Sequence, residues 1–382
     1  MNRVATLAAT LIAATAILAN SVHADDMPVP APPQLDAKSY FLMDYASGEV
    51  LAESAATEQY DPASVTKLMT AYVVFKALAE KRIALDDQVY VSERAWRTPG
   101  SRMFIEVDTQ VPVEKLISGM IIQSGNDASV ALAEHVAGSV ESFVELMNHY
   151  AESLGMTSTH YANPTGLTSK GHVSSARDSA LLARAIIAEF PEFYGLYSEK
   201  QFTYNEITQH NRNALLWRDE SVDGLKTGYT SSAGYCLVSS AERGGMRLIA
   251  VVMGMPSAAE RASGSQALLN YGFRFYETHR LYARGETVTE AKVRKGGSKT
   301  VALGLDEDVY VTVPRGKYGE LKATMEVDEE LVAPIVEQQG LGEIRVALGD
   351  EDISVLPLVS LNAVPEAGIL ARIADSIMLW FD

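Results

Sequence analysis

One stretch limits what this chain can fold into more than any other: Asp61-Pro62-Ala63-Ser64-Val65-Thr66-Lys67, which runs straight into an apolar segment over 68–80. Pro62 can close a loop and open a helix, because its missing N–H falls where the first helical turn has no internal acceptor. Beyond it Leu68, Ala71, Tyr72, Phe75, Leu78 and Ala79 recur at helical spacing, which predicts a helix with a buried face. The strand-like pieces 39–44 and 49–52, on either side of the turn residues Ala46-Ser47-Gly48, predict a β-hairpin. Its sheet is a surface against which the helix can pack.

Ser64 and Lys67 are three residues apart and so share one side of that helix. A serine hydroxyl is a poor nucleophile without a neighbouring base. Lys67 can be that base if burial and nearby positive charge disfavour its ammonium form. A helix starting near Ser64 also aims backbone N–H groups at charge developing on a substrate oxygen. By itself Ser-x-x-Lys equally describes a helix end with a surface lysine. Two further triplets change that reading. Ser124-Gly125-Asn126 precedes a second helical pattern and Lys226-Thr227-Gly228 precedes a strand-like run, in the order used by serine penicillin-recognising enzymes. Ser-x-Asn recurs at Ser360 and Asn362, where it is read as incidental. Ser124 is assigned the relay of protons between Lys67, the leaving group and Lys226, and Asn126 the orientation of a substrate amide. The alternative for this triplet is a plain turn between helices.

A length of 382 residues suggests two domains. Hydrophobic residues at 47% and charged residues at 21% describe a globular chain. A net charge of −17 argues against a nucleic-acid partner. Cys236 is the single cysteine, so no intramolecular disulfide can form, and its apolar surroundings in sequence make it a small core residue. The seven histidines lack metal-binding spacing, and no Gly-rich phosphate loop is present; neither a metal nor a cofactor is expected. Residues 1–24 read as an export signal: Arg3, an apolar run over 4–18, then Val22-His23-Ala24. The run is short for a bilayer span. Residues 25–34 hold Pro28, Pro30, Pro32 and Pro33 and form a linker.

Further along, 113–125, 127–137 and 140–154 carry helical patterns, the last with Phe143, Leu146, Met147 and Tyr150 inward. Gly125 allows the sharp turn that lets Ser124 and Asn126 project together. Residues 161–167 are turn formers. Asp178 is an N-cap or first-turn acid of a helix over 179–189. Residues 222–229, 235–240 and 247–254 predict an antiparallel meander. A strand edge bearing Lys226 and Gly228 suits an extended peptide held by backbone hydrogen bonds. Lys226, Arg212 and Arg261 are candidate anchors for a carboxylate. A helix over 258–271 closes a catalytic domain spanning 35–279. Strands at 288–293, 300–303, 309–313, 322–327 and 344–347 then predict a small β-rich domain over 280–362, economically a sandwich. In the tail, 363–382, Ile369, Leu370, Ile373, Ile377, Trp380 and Phe381 share a helical face. Such a helix can lie in a membrane interface or pack on the β-domain, and is too short and charged to span.

Nearly the whole mature chain resembles the D-alanyl-D-alanine carboxypeptidases of the low-molecular-mass penicillin-binding protein 5/6 type. The resemblance rests on the three motifs and on Asn211-Arg212-Asn213-Ala214-Leu215-Leu216-Trp217, Val222-Asp223-Gly224-Leu225-Lys226 and Leu248-Ile249-Ala250-Val251-Val252-Met253-Gly254. It implies an α+β fold: a β-lactamase/transpeptidase-like domain with an antiparallel sheet between helices, a small all-β domain and a C-terminal amphipathic anchor helix. The implied reaction removes the terminal D-alanine from peptidoglycan pentapeptide stems through an acyl-enzyme on Ser64, which β-lactams would also acylate. Lys67 would be the base, Ser124 the relay, and Lys226 the electrostatic support. Thr227, Arg261 and Arg212 would meet the terminal carboxylate, and the N–H groups of Ser64 and Tyr229 would form the oxyanion hole. Tyr229 stands where enterobacterial members have histidine. The implied location is periplasmic, on the outer face of the inner membrane. The tail departs from the type: it carries Glu366, Asp375 and Asp382 against Arg372 alone, so membrane binding would rest on apolar burial. Rival readings are a DD-endopeptidase, a β-lactamase of the same fold, and an envelope-binding protein without chemistry. A class A β-lactamase needs a glutamate for deacylation, and no Glu-x-x-x-Asn segment fits between Ser124 and Lys226.

Overall fold

The computed structural model describes residues 29–369 except residue 329. The readings of 1–24 as an export signal and of 363–382 as an amphipathic helix fall wholly and mostly outside the described residues.

Strands β1 (Ser39–Asp44) and β2 (Val50–Ser54) form the expected hairpin. A helical layer follows: α1 (Lys67–Ala79), α2 (Val113–Ser118), α3 (Asn126–Ala137), α4 (Val140–Ser153) and α5 (Ala176–Glu189). The chain returns to the sheet as β3 (Val222–Thr230), β4 (Gly234–Arg243) and β5 (Met246–Met255), and α6 (Ala258–Phe275) covers the far face. The five strands lie in the order β2-β1-β5-β4-β3, every pair antiparallel. Two consequences matter for the site. The N-terminal hairpin docks on the end of the meander, with Tyr40 opposite Val252. And β3, which bears Lys226, Thr227 and Gly228, is left as an edge.

Side-chain alternation places the sheet between helices. Phe41, Met43, Ile249, Val251 and Met253 join one apolar cluster with Leu68, Tyr72 and Phe75 of α1, while Leu42 and Leu248 turn to the other face, against Gly272 of α6. Burial of each such side chain contributes about 1.5–3 kcal/mol. The sequence predicts one buried face for α1; instead every residue from Lys67 to Phe75 is buried, because α3, α4 and α5 pack around it. A central helix of this kind is apolar all round. Lys67, at its first position, is thereby drawn into the interior.

Two local readings change. Helix α5 begins at Ala176, three residues before the expected start, capped by Ser175, whose side chain accepts from the Asp178 N–H. Of the two roles open to Asp178 the structure gives the first-turn acid; its carboxylate accepts from the Ser158 N–H and the Thr159 hydroxyl. A short helix at Glu93–Arg97, capped by Ser92, escapes periodicity analysis because it is barely more than one turn.

In the second domain β6 (Tyr276–Tyr282) pairs with β9 (Val309–Pro314). Between them in sequence come β7 (Thr289–Arg294) and β8 (Thr300–Gly304); after them come β10 (Leu321–Val327), β11 (Leu331–Val332), β12 (Gly340–Leu348) and β13 (Glu351–Ser360). A six-stranded sheet runs β10-β12-β13-β8-β7-β11, around a core that includes Leu303, Val311, Ile344 and Leu358. The sequence reading lacks β6, β11 and β13. Pro357 disguises β13; it is tolerated because β8 pairs β13 only at Val359 and Ser360. The second Ser-x-Asn lies here: Ser360 Oγ donates to the Val336 carbonyl and Asn362 Oδ1 accepts from the Ala302 N–H.

Candidate active site

Ser64 sits on a single 3-10 turn, Ala63–Thr66, that feeds α1. Lys67, the first residue of the helix, places Nζ 3.1 Å from Ser64 Oγ. The same nitrogen donates to Asn126 Oδ1 at 2.6 Å and to the Thr165 carbonyl. Lys67 is 1% exposed. Burial, and then the charge of Arg212, lower its pKa from 10.5 to about 7, because nothing in the interior solvates an ammonium as water does.

A second amine faces the first. Lys226 Nζ, on β3, donates to Ser124 Oγ at 3.0 Å and to the Thr227 carbonyl at 3.0 Å. Burial is again the main cause that pushes its pKa well down, followed by the charges of Lys67, Arg212 and Arg261. Ser124 reaches this position because a wide turn over Gly119–Gln123 ends at a left-handed residue, Ser124 itself, with φ 68° and ψ 35°. Wide turns of this kind recur at functional sites. Asn126 opens α3, but both ends of its side chain are engaged by the protein: Oδ1 by Lys67, and Nδ2 by the Pro99 carbonyl at 2.6 Å. Asn126 Oδ1 thus holds the lysine amine in place.

Gly228 brings the edge strand against the turn that bears Ser64. A β-carbon there would lie 3.0 Å from the Pro62 carbonyl oxygen and 3.2 Å from the Ser64 nitrogen. Together the segments enclose a cavity of about 560 Å³ lined by Ser64, Ser124, Arg212, Thr227, Gly228, Tyr229, Tyr235 and Arg261, with Gly100, Ser101 and Ala258. None of these residues is acidic. Arg261 is buried, its Nε has no partner, and its only hydrogen bond among the described residues is a long one, 3.4 Å, to the Arg212 carbonyl. Arg212 is held out into the cavity by its neighbours. Asn211 and Asn213 are buried and bond to the carbonyls of Tyr197, Glu199 and Gly224. Tyr229 is 56% exposed and its ring lies tilted by 32° against that of Tyr235, with centroids 4.4 Å apart.

The structure thus brings Ser64, Lys67, Ser124, Asn126, Lys226, Thr227, Gly228, Tyr229, Arg212 and Arg261 to one cleft. It adds groups that the sequence reading misses. The carbonyl of Thr165 is one, supplied by the turn-rich loop 161–167. Asp127 is another: its buried carboxylate accepts from the N–H groups of Met103, Phe104 and Ala128, tying down the loop that bears Ser101. Asp61 accepts from Thr168 Oγ1, Thr230 Oγ1 and Ser232 Oγ, joining three segments at the cleft's rim. Among the described residues no cluster of three metal-binding side chains occurs.

Residues 26–257 match the family model described as D-alanyl-D-alanine carboxypeptidase, and residues 276–366 match that of the penicillin-binding protein 5 C-terminal domain. The chain is 44% identical over 387 residues to the D-alanyl-D-alanine carboxypeptidase DacA of Escherichia coli (strain K12), covering 98% of this chain and 96% of that protein. It is 46% identical over 357 residues to DacC of the same organism, covering 91% and 89%. Among solved structures, penicillin binding protein 5 from Haemophilus influenzae is similar with a TM-score of 0.85 at 44% identity, over 88% of this chain and 100% of that one. With a helix-and-sheet N-terminal domain and an all-β C-terminal domain on the penicillin-binding-protein plan, the chain belongs to the D-alanyl-D-alanine carboxypeptidase family.

Proposed function

We propose that the protein is a serine-type D-Ala-D-Ala carboxypeptidase that removes the terminal D-alanine from peptidoglycan pentapeptide stems, with Ser64 as nucleophile. The observation that carries this reading is the surroundings of Lys67. A neutral amine has two N–H bonds and one lone pair. Two carbonyl oxygens, of Asn126 and Thr165, take the two N–H bonds, so the lone pair is directed at the hydroxyl of Ser64, 3.1 Å away. With a pKa of about 7 the amine is neutral in about half the molecules at neutral pH.

Lys67 takes the Ser64 proton as Oγ attacks the carbonyl carbon of the penultimate D-alanine. The N–H groups of Ser64 and Tyr229 receive the oxyanion, a contribution typically worth about 3–4 kcal/mol per donor. The C–N bond then breaks as the departing D-alanine nitrogen takes the proton that Lys67 has collected, relayed by the hydroxyl of Ser124, which Lys226 holds; Lys67 is left neutral again. Water attacks the ester with the same groups acting in reverse. The substrate lies along the free edge of β3 as an added strand. Its terminal carboxylate meets Arg261, Arg212 and Thr227, cations and a hydroxyl with no acid beside them. A β-lactam enters the same cleft and acylates Ser64.

Export under the 1–24 signal places this activity in the periplasm. The apolar face of 363–382 holds the protein peripherally on the outer face of the inner membrane; no described helix is long and apolar enough to cross one. The test is covalent labelling by a fluorescent penicillin, expected for wild type and lost in Ser64→Ala, followed by mass spectrometry of products from pentapeptide and from cross-linked dimers. Loss of one alanine supports the carboxypeptidase. Dimer scission without it supports an endopeptidase, and absence of labelling supports a binding protein without chemistry.

A further inference from the structure

Ala63, immediately before Ser64, has a φ of +47°, a left-handed conformation that disfavours any residue with a β-carbon. Side chains hold both of its backbone polar groups. Its N–H donates to Asp61 Oδ1 at 2.8 Å, and its carbonyl accepts from Thr66 Oγ1 at 2.7 Å. The Thr66 oxygen lies 2.8 Å from Nε2 of His172, which is 3% exposed. On the other side of that ring, Nδ1 accepts the Ala162 N–H at 2.9 Å. Nδ1 therefore carries no proton, and the proton of the neutral ring is on Nε2, donated to Thr66. Burial supports this by pushing the imidazole down to about 4. A directed chain of hydrogen bonds thus runs from Ala162 through His172 and Thr66 to the Ala63 carbonyl.

In a planar trans peptide the carbonyl and the following N–H point in opposite directions, and the Ala63–Ser64 bond is trans. Fixing the Ala63 carbonyl therefore fixes the aim of the Ser64 N–H. We propose that His172 is a positioning residue: through Thr66 it holds the Ala63–Ser64 peptide plane so that the Ser64 N–H faces the reacting carbonyl. The proposal rests on the reading of Ser64 as nucleophile and of its N–H as an oxyanion donor. Neither His172 nor Thr66 lines the cavity, so both act through the backbone and not on substrate.

The test separates aim from amount. The fraction of labelled molecules at the end point of penicillin labelling counts competent sites; the rate constant per labelled site reports how well each one works. His172→Gln retains an acceptor for Ala162 and a donor for Thr66, whereas His172→Leu has neither and Thr66→Val loses the linking hydroxyl alone. Removing an oxyanion donor outright costs about 10²–10³ in rate, so misaiming one is expected to slow acylation per site about tenfold or more in His172→Leu and Thr66→Val. His172→Gln should stay within about threefold of wild type. Because the two residues act in series, the His172→Leu/Thr66→Val double variant should be no slower than the slower single. The midpoint of the pH dependence should not move. Wild-type rates per site in Thr66→Val, or a His172→Gln as slow as His172→Leu, overturn the proposal; Thr66→Val carries the test even if His172→Leu does not fold. Unlabelled wild type would overturn the nucleophile reading, whereas labelled wild type with unaffected variants overturns this proposal alone.

Discussion

Acylation should titrate with Lys67. Its pKa falls from 10.5 to about 7, first because the amine is buried and then because of Arg212. At pH 7 that difference raises the neutral fraction from about one molecule in 3,000 to about one in two, which corresponds to about 5 kcal/mol taken from the ammonium form. The sign follows directly: the base is the unprotonated amine, so the rate is at its plateau above pH 7 and falls about tenfold for each pH unit below it. At pH 5 about one per cent of the plateau should remain. Stopped-flow or gel-based labelling with a penicillin, from pH 5 to 9, reads this limb. Arg212→Gln removes a charge that opposes protonation, so the limb should move to higher pH. Lys67→Arg should abolish acylation, since a guanidinium stays protonated. A rate independent of pH between 5 and 8, or a Lys67→Arg variant that acylates at a comparable rate, would refute the argument. Lys226 is buried close enough for Lys67 to be among the causes of its own lowered pKa; the titration therefore belongs to the pair, and a second limb is compatible with the reasoning while a missing first limb is not.

Three other measurements probe the cleft and the packing behind it. Gly166→Ala should destabilise by at least about 1–3 kcal/mol in denaturant unfolding, from its φ of +83° alone; its β-carbon would also lie 1.8 Å from the Ala63 carbonyl oxygen, so acylation should be lost as well. Arg261→Gln should raise KM for peptides with a free terminal carboxylate by about 10- to 150-fold, the worth of about 1.5–3 kcal/mol for a charge-assisted hydrogen bond, and should leave KM for a C-terminally amidated peptide little changed. Cys236 is buried, and burial pushes its thiol up to about 11; a thiol reagent at pH 7.5 should label it only after denaturation, and rapid labelling of the native protein would contradict that burial.

Much of this site is legible because its reactive pairs are local or carried by fixed triplets. Ser64 and Lys67 meet through one turn of helix. Lys226 and Gly228 share a strand whose flanking apolar runs are plain. The Asn211-Arg212-Asn213 run is informative too, although its reason appears only in three dimensions, where the buried asparagines clamp the backbone and leave the arginine in the cavity. Strand β13 is illegible because Pro357 contradicts strand pattern, and its tolerance depends on which positions have a second neighbour. Strand β6 is illegible because it continues α6 without a break or an apolar alternation.

Residue order alone was enough for the helix that follows Ser64, the hairpin, the meander and the change to a β-rich second half, since each follows from spacing along a few turns or a few alternating positions. It could not show that a carbonyl at Thr165 occupies one N–H of Lys67, that Asp127 anchors the loop beside the cleft, or that His172 reaches Ala63 through Thr66. Those contacts join segments from tens to more than a hundred residues apart. A backbone carbonyl leaves no trace in residue type, and a buried histidine looks the same in sequence whether it fills space or directs a proton. Even the lowered pKa of Lys67 belongs to this class, because it comes from the helices packed around α1 and from an arginine brought in by a distant loop.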